Sequence, residues 1–90
     1  MHSWTIDDDV VTLYLYNYGD SKIGFSIKEI GEKLGMGVNS LRARIGNFKA
    51  IEGQGGFSHY AKQSFQVYNK YHGLSELELR RLALSVLEKA

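Results

Sequence analysis

Apolar residues recur at steps of three and four through most of this chain, and the runs break at glycines and capping residues. The first run is Ile6, Val10, Leu13 and Tyr14, with Trp4 just ahead of it. It predicts a helix starting after Thr5, whose hydroxyl suits an N-cap, with Asp7, Asp8 and Asp9 favourably placed at the positive end of the dipole. The Tyr14-Leu15-Tyr16 stretch also has strand character, and Tyr18-Gly19-Asp20 ends the element. A second run, Ile27, Ile30 and Leu34, follows Ser26 and Glu29, which together form a capping box. Gly35-Met36-Gly37 then supplies a turn, because glycine takes positive φ without a steric penalty. The third run is Val38, Leu41, Ile45 and Phe48, a narrow apolar stripe on a helix over about 38–50.

Beyond a glycine-rich stretch at residues 52–56, Phe65, Tyr68 and Tyr71 mark a helix over about 64–72, with Ser58 as its earliest start and Gly73 as a C-cap. Ser75 and Glu78 form another capping box, and Leu74 and Leu79 have the spacing of a hydrophobic staple. The last helix should run to near Lys89 with Leu79, Leu82 and Val86 facing the core. The expected fold is therefore all-α in a single domain over residues 1–90. The opening Trp4-Thr5 with acidic residues after it, followed by two more helices, resembles the tri-helical Myb/SANT type of DNA-binding domain. That resemblance implies a helix-turn-helix three-helix core containing the two-helix motif at about 26–50, with two accessory helices within about 58–89.

Composition narrows the function classes. The 90 residues include no cysteine, which removes disulfides and thiolate metal sites, and no proline. No apolar run approaches the ~20 residues that span a bilayer, and the opening lacks a secretory pattern, so a soluble cytoplasmic protein without membrane contact is expected. Net charge is only +1, but it is unevenly spread. Residues 1–20 hold four Asp and no Lys or Arg, whereas residues 21–73 hold six Lys and two Arg against three Glu. Positive potential thus concentrates around the two-helix motif.

On the third helix, the side opposite the apolar stripe is centred on Ala43, at about 100° per residue. Asn39, Ser40, Gly46, Asn47 and Ala50 surround it, and Arg42 and Arg44 flank it. Small residues let a helix backbone approach a groove, guanidiniums reach phosphates or guanine edges, and short polar groups contact bases. The same small residues would also suit close packing against another helix, and an Asn near a helix end often bonds nearby backbone. Asn39, Ser40, Arg42, Ala43, Arg44, Asn47 and Lys49, with Lys62 beyond the loop, form the candidate nucleic-acid-binding set. Backbone N–H groups of Gly53, Gly55 and Gly56 are a further candidate for holding phosphate, against the plainer reading of a turn.

Residues 40–48 (Ser-Leu-Arg-Ala-Arg-Ile-Gly-Asn-Phe), Ile51, Gly56-Phe57-Ser58, Lys62 and Val67-Tyr68 resemble the helical domain that precedes HNH nuclease domains in some bacterial restriction-type endonucleases. That family has Gly-Asn-Phe or Ser-Asn-Phe ending a helix, a Gly-Leu-Ser-like loop, a Ser-Lys pair and Val-Trp or Val-Tyr. The resemblance spans roughly residues 4–71 and is sharp over 40–71. This chain departs from it at Glu52-Gly53, where the family often has Asp-Pro, and at Ala61 and Gln63-Ser64 around the lysine. The resemblance implies an accessory nucleic-acid-binding role without the nuclease. An HNH site needs histidines and carboxylates converging on a metal, and His2, His59 and His72 are widely spaced. No phosphate-binding loop or dinucleotide fingerprint occurs. We therefore expect no enzymatic activity, no metal and no cofactor.

The leading expectation is a small duplex-DNA-binding protein, such as a regulator or a restriction- or phage-related accessory factor. The alternative is a protein-interaction module, an inhibitor or adaptor of a nucleic-acid machine, acting through the acidic N-terminus or the leucine-rich last helix. That helix carries more apolar surface than one stripe of about 100° requires, with Leu77, Leu84 and Leu87 partly on another side. Homodimerisation through residues 77–87 would present two recognition helices to one duplex.

Overall fold

The computed structural model describes residues 2–53 and 60–90. It contains five helices: α1 (Ile6–Tyr18), α2 (Ile27–Lys33), α3 (Val38–Ile51), α4 (Lys62–Tyr71) and α5 (Glu76–Lys89). No strand occurs among the described residues, and Tyr14-Leu15-Tyr16 lies inside α1. Capping boxes start three of the helices. Ser26 and Glu29 begin α2, Ser75 and Glu78 begin α5, and Thr5 and Asp8 begin α1. The Ala61 side chain ahead of α4 makes no cap, and that helix begins at Lys62, ahead of the position its aromatic residues mark. The phosphate-binding expectation for Gly55 and Gly56, the start at Ser58 and the role of His59 lie outside the described residues.

The first helix is the hub. It packs against α3, α4 and α5, and every residue from Asp8 to Leu15 is buried. An amphipathic stripe is therefore replaced by burial on all sides, which a helix enclosed by three others requires. Ile6, expected in the stripe, is instead 44% exposed. Thr12 satisfies its hydroxyl by donating to the Asp8 carbonyl at 2.8 Å, one turn back. Leu13, Tyr14, Leu41, Phe48, Leu79 and Leu87 are fully buried. Each such side chain contributes roughly 1.5–3 kcal/mol relative to exposure.

The register of α5 differs from the one read in its leucines. Leu79, Ala83 and Leu87 form the buried row, whereas Leu82 is 40% exposed and Val86 only partly buried. Small Ala83 at the centre of that row leaves room for the backbones of α1 and α5 to come close. Leu87, expected on another side, is core, and Leu84 packs against the core's edge. Leu77 and Leu82 remain outside, five residues apart and hence roughly 140° apart around the helix.

The turn between α2 and α3 is built on three glycines. Gly35 and Gly37 take φ of 76° and 81°, conformations that side chains rarely adopt. Gly31 acts differently. Its carbonyl accepts the N–H groups of Met36 (3.0 Å) and Gly37 (3.1 Å), drawing the turn back against α2. A Cβ at Gly31 would stand 2.8 Å from the Gly37 carbonyl carbon, so only hydrogen fits there. Ile30, Leu41 and Phe48 are then held in the core, with Ile27, Leu34 and Ile45 packed at its margin.

Candidate nucleic-acid interface

Apolar Leu41 and Phe48 orient α3 towards α1, which leaves an outer face with two edges. Arg42 and Lys49, seven residues apart, share one edge; Ser40 and Asn47 share the other. Asn39, Ser40, Arg42, Ala43 and Lys49 are exposed. Gly46 has no atom within 4 Å of where a Cβ would stand, so the middle of the face is open. Among the described residues, neither Arg42 nor Lys49 enters an ion pair or a hydrogen bond. Gly37 offers no side-chain cap to α3, and no acidic residue occupies its first turn. Positive charge at this end is therefore unopposed by the helix's own side chains.

Arg44 does not flank the outer face. Its Nε and Nη2 donate to the two carboxylate oxygens of Asp9, each at 2.8 Å, and its guanidinium lies 4.4 Å from the Trp4 ring centre. The cause is its position: Arg44 follows Leu41 by three residues and precedes Phe48 by four, so it stands on the same buried ridge. Asp9 is fully buried and also accepts from Gln63 Nε2 (2.8 Å) and Ser64 Oγ (3.1 Å). One carboxylate thus ties α1, α3 and the start of α4. Removing one partner of such a buried pair typically costs about 3–5 kcal/mol. No buried side-chain polar atom among the described residues is left without a partner.

Asn47 is also committed internally. Its Oδ1 accepts the Ala61 N–H, and its Nδ2 donates to the Ala43 carbonyl at 3.4 Å. The start of α4 is thereby pinned beside the Ser40 edge of α3, with Lys62 exposed next to it and outside any ion pair among the described residues. Of the eight residues expected to face nucleic acid, six are exposed (Asn39, Ser40, Arg42, Ala43, Lys49 and Lys62), and two hold the fold together.

The acidic N-terminal cluster is likewise divided. Asp8 caps α1 and accepts from His2 Nε2 at 2.8 Å, Asp9 is sealed in the core, and only Asp7 is exposed. Glu52, at the end of α3, accepts hydroxyl hydrogen bonds from Tyr16 and Tyr68, at 2.8 Å for the latter. Burial and then the Glu52 bond push the Tyr16 hydroxyl up to about 12. Tyr14 is pushed up to about 12 in the same way, by burial and then by its 2.7 Å bond to Glu76.

Little else in the described residues suggests chemistry. His72 donates from Nδ1 to the Tyr68 carbonyl (2.7 Å) and stacks on the Tyr68 ring. No group of three or more metal-ligating side chains occurs among the described residues. A cleft of about 190 Å³ between α1, α4 and α5 is lined by Asp7, Val10, Tyr71, Leu82, Ser85, Val86 and Lys89, below the ~300–1,000 Å³ of ordinary ligand pockets. No described helix is long and apolar enough to cross a membrane. A pair of exposed aromatic rings, Tyr60 and Phe65, flanks Lys62; Phe65 belongs to the apolar row that marks this helix yet faces outward, and Tyr60 had no signature in the periodicity.

Comparison with known proteins finds no matching family model, no matching curated protein and no matching solved structure.

Proposed function

We propose that this chain is a non-catalytic duplex-DNA-binding module, in which α2 and α3 act as a helix-turn-helix and the N-terminal half of α3 enters the major groove. The observation that carries this reading is Arg42, exposed and outside any ion pair or hydrogen bond among the described residues, beside exposed Asn39, Ser40 and Ala43. In helix-turn-helix proteins it is the N-terminal residues of the second helix that meet base edges, while the first helix crosses the backbone. Arg42 would reach guanine or phosphate from one edge, Ser40 and Asn39 would offer short polar contacts, and Ala43 would permit close approach. Lys49 and Lys62 would contact flanking phosphates. Arg44 and Asn47 leave the contact set and become the residues that hold α3 at its angle. The resemblance to domains preceding HNH nucleases points the same way, towards a regulator or restriction-related accessory factor in the cytoplasm.

The homodimer expected through residues 77–87 is a separate proposal, for which Leu77 and Leu82 are the exposed leucines, roughly 140° apart around α5. The DNA-binding reading needs only one copy of α3 per binding site. Titrating duplex DNA at low and moderate salt tests it. Binding should weaken steeply with salt, and Arg42→Ala should weaken it on the order of tenfold. Affinity that is absent at low salt, or unchanged by Arg42→Ala together with Lys49→Ala, would reject the assignment.

A further inference from the structure

Tyr60 and Phe65 are among the few large apolar side chains that the fold leaves outside, at 42% and 39% exposure. They are not scattered. Their rings stack on one another, with centroids 5.7 Å apart and planes inclined by only 20°. Lys62 stands between them in sequence, exposed and outside any ion pair among the described residues. The platform lies beside α3, because Ala61, next to Tyr60, donates its N–H to Asn47. Gln63 and Ser64 anchor the following turn by bonding buried Asp9. Anchoring the residues between the two rings reduces the conformational entropy lost when a planar ligand settles on them.

We propose that the Tyr60–Phe65 pair is a stacking platform for an unpaired nucleobase, with Lys62 holding the adjacent phosphate. The occupant is a single-stranded stretch of DNA that continues from the duplex bound along α3. Base–aromatic stacking with a neighbouring cation is how sequence-tolerant single-strand contacts are made. Rings already in contact leave no room for a base between them, so the base extends the stack on an outer ring face. The platform borders the Ser40 edge of α3, so a strand leaving the duplex at that edge would reach the outer ring face, with Lys62 at the phosphate of the junction. The chain would thereby favour duplex ends, gaps or locally opened DNA over an uninterrupted duplex. This rests on the DNA-binding reading above.

The test is fluorescence anisotropy with three labelled probes: a short blunt duplex, the same duplex carrying a thymidine overhang, and the thymidine strand alone. The overhang should tighten binding on the order of tenfold, the scale of one stacked base. Tyr60→Ala with Phe65→Ala should abolish that gain while leaving blunt-duplex affinity unchanged at a temperature well below the variant's own thermal midpoint, and Phe65→Trp should retain it. An overhang without effect, or a gain that survives the double alanine change, overturns the platform while leaving duplex binding intact. Binding of the thymidine strand alone, lost in the double variant, with no duplex binding, supports the platform and overturns the major-groove reading. No binding of any probe overturns both.

Discussion

Arg42 and Arg44 stand two residues apart on one helix, yet they belong to different parts of the molecule. Arg44 lies on the ridge between Leu41 and Phe48, and its guanidinium is consumed by Asp9 and Trp4. Arg42 lies off that ridge, exposed and without a partner among the described residues. Composition treats the two as equal contributors to a positive segment, whereas the geometry makes one structural and leaves the other exposed. The same division separates Asp7 from Asp9 and Asn39 from Asn47.

The largest expected effect follows from breaking the inner side. Arg44→Ala leaves the buried Asp9 carboxylate without its charge partner and should cost about 3–5 kcal/mol, read by urea or thermal denaturation. Asp9→Leu combined with Arg44→Met should recover only part of that loss, because apolar groups can replace a buried pair but Gln63 and buried Ser64 lose their acceptor. A stability loss under 1 kcal/mol for Arg44→Ala alone would mean that the network contributes little.

Next comes the turn that aims α3. Gly31→Ala pushes a methyl group into the Gly37 backbone, which cannot yield as a flexible side chain would. Overpacking of this kind costs on the order of 1–3 kcal/mol. It should also weaken DNA binding beyond the stability loss, because the clash displaces α3 from α2. Unchanged stability in the alanine variant would show that the turn can relax.

The pH dependence of stability is a smaller effect. Tyr14 and Tyr16 have hydroxyls raised from 10.0 to about 12. A raised folded value means that the folded protein holds the proton longer than the unfolded chain. Their contribution is therefore complete below about pH 10 and declines as pH rises from 10 towards 12. On the acid side, Glu76 is lowered by its hydrogen bonds from Arg80 and then Tyr14. Glu29 and Glu78 are lowered by their bonds within the capping boxes. Depressed carboxylates stabilise above their unfolded values and lose that contribution as pH falls through their folded ones. Thermal midpoints measured against pH should show both shoulders, and Tyr14→Phe with Tyr16→Phe should flatten the alkaline one.

The parts of this fold that were legible in the sequence are the local ones. Ser26 with Glu29 and Ser75 with Glu78 signal helix starts through residues three apart, and the structure forms both boxes. Leu41 and Phe48 fall on the buried side of α3 as their spacing requires. Distant partners were not legible. Asp9 lies 35 residues from Arg44 and 54 from Gln63, and nothing in an acidic run shows which carboxylate the core will enclose. Asn47 is taken by Ala61, 14 residues further on. The α5 register was ambiguous because Leu79-Leu82-Val86 and Leu79-Ala83-Leu87 both satisfy helical spacing. The choice depends on how closely α1 approaches, and Ala83 settles it. Gly31 was overlooked because its importance comes from a contact six residues away and not from its own φ.

The central claim is that the outer N-terminal half of α3 meets DNA while its inner side holds the fold. Backbone amide NMR spectra recorded during a titration with duplex DNA test it most directly. The account predicts the largest shifts at Asn39, Ser40, Arg42 and Ala43, with Arg44 Nε–H unmoved in its bond to Asp9. Shifts confined to α5 and the Asp7–Lys89 cleft, or release of Arg44 from Asp9 on binding, would contradict it.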